Sequence, residues 1–192
     1  MKPEEIHKKT NKIDRELLVL LQERMGLALR SKKFKETLND PQQEDDMLAR
    51  AERLNLDLIK STFTRRLLKT IIEETKRLQE EDRPLAAFQG EHGAYGEVAA
   101  RQLVPDGAYI PCLEFMDVFR GVEDGHFDLG VVPVENSLEG AVTQVNDLLT
   151  TTDLKVIGEV NVAVSHCLLA TEATDYREIR QVYSHPQALA QC

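Results

Sequence analysis

The sequence predicts two domains in one chain, an all-helical one over residues 1–83 and an α/β one over residues 84–192. Charge divides the chain first. Residues 1–83 hold 19 Lys and Arg against 17 Asp and Glu, a net of +2, whereas residues 84–192 hold 5 against 16, a net of −11. Glycine divides it at the same place: only Gly26 lies before position 84, and the other nine lie after it. The apolar pattern agrees, with helical steps of three, four and seven in the first part and short apolar runs between turns in the second.

Composition also excludes several classes. The N-terminus is charged and amphipathic, and no run of about 18 apolar residues occurs, so neither a signal segment nor a membrane span is expected. Cys112, Cys167 and Cys192 are odd in number, far apart and free of any CxxC pattern. Reduced thiols in a cytoplasmic protein follow, with no metal site and no cofactor. A net charge of −9, with no basic cluster beside exposed aromatics, argues against nucleic acid as a partner.

From Pro3 to about Thr37 the apolar residues Ile6, Ile13, Leu17, Leu20, Leu21, Met25, Ala28 and Leu29 keep a helical period. Such a helix is roughly 50 Å long, too long to bury its stripe against two shorter helices, so a homodimer is expected. The helix stops near Leu38–Asn39, and Asp40-Pro41 restarts it, with Asp as N-cap, Pro first in the helix and Gln43 third. Met47, Leu48, Ala51 and Leu54 line this second helix. A third is predicted from about Leu58 to Glu81, with Ile59, Phe63, Leu67, Ile71, Ile72 and Leu78 on its apolar face.

Polar residues recur on these helices at shared faces. Arg24 and Lys35 lie almost three whole turns apart, while His7 falls about 100° round from them. Thr75 and Gln79 are i,i+4 neighbours, as are Asp40 and Glu44. Each pair by itself fits a solvated face or a cap as readily as a binding pocket.

Pro84 opens LAAF, a short apolar strand, and Gly90 and Gly93 then frame a loop before a helix over Ala94–Leu103. Such a loop serves as a simple βα turn or as a phosphate cradle. A strand at Ala108–Cys112, a helix at Phe115–Glu123 and a strand containing Val131, Val132 and Val134 follow. The last is expected to present Glu135, Asn136 and Ser137 at its tip, with Gly140 just before a helix over Val142–Leu149. Ligands collect at such strand ends, although Asn136 or Ser137 could equally be a cap. A long apolar strand over Val156–Ala170 and a final strand and helix start in QVYSHPQALAQC complete the reading, with Pro186 placed at a helix N-terminus.

The run IDRELLVLLQERMGLALRSKKFK, followed by DPQQE and IIEETKRLQ, resembles the helical chorismate mutase family over about residues 4–81. That resemblance implies an intertwined all-helical dimer that rearranges chorismate to prephenate. It implies Arg24 as the grip on a substrate carboxylate, with Lys35 and Gln79 as donors to the ether oxygen. Glu44 and the Asp40 backbone region would hold the ring hydroxyl, and Thr75 stands where the family usually has serine. His7 and Gln43 each replace an arginine of the family, the first of them contributed across the dimer. An imidazole at position 7 is not a permanent bidentate cation, so weakened substrate binding is expected.

FQGEHGAYGEVAA, VPVENSLEGAV, VIGEVNVAVSHCLL and VYSHPQALAQC resemble, in order and spacing, the prephenate dehydratase family over residues 85–192. With the helices ahead, the whole resembles the bifunctional mutase–dehydratase proteins of phenylalanine biosynthesis. The resemblance implies two lobes like those of periplasmic binding proteins, here only in part. Glu135, Asn136, Ser137 and Gly140 would form one wall of a prephenate cleft, and Ser184, His185, Gln187 and Gln191 part of another. The family's Thr-Arg-Phe segment and its regulatory ACT domain have no match in these 192 residues, so no dehydratase activity is expected of them. The competing reading is a helical dimerisation module whose α/β domain binds a small carboxylate without turnover.

Overall fold

The computed structural model describes residues 2–34, 40–54, 57–138, 140–171, 173–184 and 188–189. Three helices come first: α1 (Pro3–Lys32), α2 (Pro41–Glu52) and α3 (Ser61–Glu80). Pro3 opens α1, Glu4 and Glu5 sit in its first turn, and Arg30 and Lys32 sit in its last, each sign opposing the helix dipole. The predicted start of α2 is observed, with the Asp40 carboxylate accepting from the Gln43 backbone N–H at 3.0 Å. The third helix begins three residues later than expected. Leu58 and Ile59 lie in the turn before it, with Leu58 almost wholly exposed. The predicted C-terminal stretch of α1, including Lys35, lies outside the described residues.

Nothing in α1 is fully buried, and residues 2–20 are exposed throughout. The hydrogen bonds that tie α3 to α1 fall on Arg24 and the residues after it, and Ile6, Ile13, Leu17 and Leu20 are exposed.

The α/β part is a three-stranded parallel sheet in the order β2-β1-β3, built from β1 (Leu85–Gln89), β2 (Ala108–Cys112) and β3 (Leu129–Val131). Helices α4 (Tyr95–Leu103) and α5 (Phe115–Glu123) make the two crossovers. Central β1 is covered on both faces. Leu85 and Ala87 pack with Ile110, Cys112, Val118 and Phe127 on one side, and Phe88 packs with Ala100 and Val131 on the other. This is why LAAF reads as a continuous apolar run rather than an alternating one. Pro111 is tolerated because β2 is an edge strand. Gly121 lets α5 close on Phe127, whose ring would lie 2.2 Å from a Cβ at that position.

Two expectations need correction here. The strand containing Val131 ends at that residue, and a short antiparallel hairpin, β4 (Glu135–Asn136) and β5 (Gly140–Ala141), intervenes before α6 (Thr143–Thr151). Glu135, Asn136 and Ser137 therefore occupy a hairpin and its turn, not a strand tip leading straight into a helix. The long strand expected over Val156–Ala170 does not form either. Its residues take no regular secondary structure and are mostly exposed, and Tyr95 Oη bonds the backbone N and O of Ser165, each at 3.1 Å. An apolar run becomes a strand only when a neighbour completes its ladder, and among the described residues none pairs with it. Residues 181–184 likewise take no regular secondary structure.

Candidate functional site

Helices α1, α2 and α3 converge on a cluster of polar side chains. Arg24, half-buried, donates from Nη1 to Thr75 Oγ1 at 2.8 Å, and its Nη2 lies 3.8 Å from Met47 Sδ. The Thr75 hydroxyl donates to the Ile71 carbonyl at 2.7 Å, which leaves its lone pairs facing the guanidinium. One turn on, Gln79 is buried and donates from Nε2 to the Ala28 carbonyl at 2.6 Å, with Ser31 Oγ a longer 3.4 Å away. Across from them, Glu44 of α2 pairs with Lys76 of α3 at 2.6 Å.

The local cause is the periodicity of two helices. Arg24, Ala28 and Ser31 stand at i, i+4 and i+7 and share a face of α1, and Thr75 and Gln79 stand at i and i+4 on α3. Among the described residues no carboxylate pairs with Arg24, so its charge meets only neutral partners in a partly desolvated place.

The structure thus brings Arg24, Thr75 and Gln79 together and sets Glu44 beside them. Asp40 is spent on capping α2, and Gln43 is exposed on the first turn of that helix. His7 lies on the exposed first third of α1, about 25 Å from Arg24 along the axis, too far to share a ligand within one chain. Lys35 lies outside the described residues. Sequence reasoning missed Lys76, Met47 and Ser31. Ser31 was legible as the next residue on the Arg24 face, whereas Lys76 and Met47 needed the packing of α2 on α3.

In the α/β part the polar groups gather at the carboxyl end of β1. Gly90 and Gly93, at φ of +117° and +91°, shape a loop that only glycine enters without strain. Glu97, 5% exposed at the third position of α4, holds this loop. Its carboxylate accepts from the Gly93 N–H at 2.7 Å, from Arg101 Nη2 at 2.6 Å and Nε at 3.2 Å, and lies 3.3 Å from His92 Nδ1. Burial opposes ionisation of Glu97, but the Gly93 amide, Arg101 and His92 outweigh it and hold the carboxyl below its ordinary range.

Asn136 turns its Oδ1 back onto the Leu138 N–H at 2.9 Å in an Asx turn of the hairpin, whereas α6 has Val142 at its N-cap, so neither Asn136 nor Ser137 caps that helix. Glu135 and Ser137 are exposed, and Gly140 turns the hairpin at a φ of +80°. Ser184 is exposed, and among the described residues no hydrogen bond joins it to 135–137. His185, Gln187 and Gln191 lie outside the described residues. Among the described residues there is no cluster of three His, Cys, Asp or Glu side chains that could hold a metal, and no helix long and apolar enough to cross a membrane.

Residues 86–192 match the family model for prephenate dehydratase, which covers more than half of the chain. The chain belongs to the prephenate dehydratase family. Ahead of this dehydratase region, residues 6–80 match the model for chorismate mutase type II. A bifunctional chorismate mutase/prephenate dehydratase of Escherichia coli K12 is 34% identical across 97% of this chain and 54% of the relative. The protein of the same name from Aquifex aeolicus is 34% identical across 98% of this chain and 54% of the relative. An arogenate dehydratase/prephenate dehydratase 2 of Arabidopsis thaliana is 44% identical across 62% of this chain and 31% of its own length. The chain therefore spans about half the length of the bifunctional relatives it matches and less of the plant one. No solved structure matches.

Proposed function

We propose that residues 1–83 form a chorismate mutase domain that rearranges chorismate to prephenate. Residues 84–192 then belong to a dehydratase domain that takes prephenate towards phenylpyruvate, both serving phenylalanine biosynthesis in the cytoplasm. One observation carries the first half: a half-buried Arg24 whose hydrogen bonds go only to neutral partners, one of them Thr75, a turn of α3 from a buried Gln79.

The chemistry asks for no nucleophile, metal or cofactor. In the pericyclic step the ether C–O bond breaks while a C–C bond forms, and negative charge builds on the ether oxygen. Arg24 would bind a substrate carboxylate and hold the folded, reactive conformer. Gln79 has two N–H groups: one is fixed by the Ala28 carbonyl, and the other, weakly engaged by Ser31, would turn to the ether oxygen. Lys35 would supply the second donor to that oxygen. Donors oriented in advance stabilise the developing charge without reorganising during the reaction. Glu44, Asp40, Gln43 and Thr75 are assigned to the ring hydroxyl and the walls of the pocket.

Two features support a homodimer. The Ile6, Ile13, Leu17 and Leu20 stripe is exposed and runs into the Arg24 face, so a second α1 laid along it would bring its own His7 towards that pocket. In the α/β part, Glu135, Asn136, Ser137 and Gly140 are assigned to one wall of a prephenate cleft between two lobes of periplasmic-binding-protein type. Ser184, His185, Gln187 and Gln191 are assigned to the opposite wall. The parallel sheet with the Glu97-held loop at its carboxyl end supports that placement.

The test is loss of chorismate followed spectroscopically with the purified chain, beside Arg24→Ala and Lys35→Ala. Turnover that falls at least a hundredfold in both variants supports the mutase. No turnover at saturating chorismate, with the dimer intact, leaves the helices as an assembly module and overturns it.

A further inference from the structure

The C-terminal half of α1 carries two stripes, and the mutase reading uses only one. Arg24, Ala28 and Ser31 lie on one face. Gly26, Leu29 and Arg30, with the C-cap Lys33, lie about 120–180° round from Arg24 at about 100° per residue, and Phe34 follows in the turn after the helix. Every member of this second stripe meets the α/β part. Leu29 packs against the core cluster of β1, β2 and α5. A Cβ at Gly26 would stand 3.9 Å from Ile110 Cδ1 on β2. The other three meet consecutive residues of the loop between α5 and β3. Phe34 stacks on His126 with ring centroids 4.4 Å apart, the Arg30 guanidinium lies 5.3 Å from the Phe127 ring centroid, and Lys33 Nζ bonds Asp128 Oδ1 at 2.5 Å.

Asp128 is anchored independently of α1. Its Oδ2 accepts from the Leu85 N–H at 2.8 Å, and its own N–H donates to the Leu85 carbonyl at 3.0 Å, fixing it to the first residue of the buried central strand. Burial disfavours its charge, yet Lys33 and the Leu85 amide keep its carboxyl below the ordinary range. The anion that receives Lys33 is thus held in place by the sheet. On the far side of the same helical turn, Lys32 Nζ bonds the Glu81 carbonyl at 3.1 Å, and Ala28 and Ser31 hold Gln79.

We propose that residues 126–128 are a receptor for the last turn of α1, and that Asp128 acts through Lys33 as a positioning residue for the helical site. The α/β part then contributes to the mutase reaction without touching its substrate, by fixing the turn against which Gln79 is oriented. This rests on the mutase reading for its catalytic consequence, but the docking itself is a matter of geometry.

The experiment compares the full chain with Lys33→Met, Asp128→Asn, the double variant and Lys33→Arg. Asparagine keeps an oxygen for the Leu85 N–H and removes only the charge facing Lys33, and Lys33 is exposed, so each variant is expected to fold. Chorismate kcat/KM should fall about tenfold in either single variant, the middle of the range for coupled neighbours, and no further in the double one. Lys33→Arg should restore it. Unchanged single variants, or losses that multiply in the double variant, overturn the positioning role. The full chain, the two single variants and the double variant also give a thermal unfolding cycle that needs no turnover. Additive Tm shifts there overturn the receptor itself, whereas a coupled cycle in a chain that does not consume chorismate overturns only the mutase reading.

Discussion

Glu97 gives the sharpest test of the α/β geometry. It is 5% exposed, and its two oxygens serve the Gly93 N–H at 2.7 Å and the Arg101 fork at 2.6 and 3.2 Å. Glu97→Gln leaves one acceptor oxygen, so either Gly93 or Arg101 then faces an NH2 group. The loss is one charge-assisted hydrogen bond, about 1.5–3 kcal/mol in general. Arg101 is 59% exposed and can turn to water, which brings the expected cost towards about 1.5 kcal/mol. Glu97→Ala abandons the Gly93 N–H as well and should cost about 3 kcal/mol. The four tyrosines, Tyr95, Tyr109, Tyr176 and Tyr183, all lie after residue 84 and there is no Trp, so tyrosine fluorescence during urea unfolding reports the α/β part alone.

Acid supplies the second arm of that test. The Glu97 pKa is lowered in the folded state, so its contribution is complete above the ordinary glutamate value of about 4.3 and is lost as pH falls through the folded value. The gap between wild type and Glu97→Gln should be full at pH 7 and should shrink below about pH 4.3. A variant as stable as wild type at pH 7, or a gap that does not narrow in acid, refutes the reasoning.

Other expectations follow from the same packing. Gly121→Ala drives a methyl group to within 2.2 Å of the Phe127 ring and should cost about 3 kcal/mol in urea unfolding, near the top of the range for overpacking. Burial pushes the Cys112 thiol above its ordinary pKa, while Cys167 is exposed. Site-resolved alkylation at pH 8 should therefore label Cys167 at least tenfold faster than Cys112. Leu17 and Leu20 are 54% and 60% exposed on the unpartnered face of α1, so Leu17→Asp should convert a sedimenting dimer to monomer. A wild-type chain that sediments as a monomer at every concentration contradicts that expectation.

The sequence by itself determined most elements whose cause is local. The Asp40-Pro41 start, β1 at LAAF, β2 at Ala108–Cys112 and α5 at Phe115–Glu123 are all observed, because caps, glycine turns and helical period act within a few residues. It also placed Arg24, Thr75 and Gln79 on faces that could meet, since side-chain direction on a helix follows from spacing. What spacing does not contain is the neighbour. Val156–Ala170 has a strand's composition and no ladder partner among the described residues, so it forms no strand. Glu135, Asn136 and Ser137 are polar residues after an apolar run, and only tertiary structure set them in a hairpin whose turn takes the Asn136 side chain for itself. Lys76 beside Glu44, and Asp128 beneath Lys33, join residues tens of positions apart. Such pairs form because burial of the intervening apolar faces fixes the helices first, and the charges then meet where that packing leaves them.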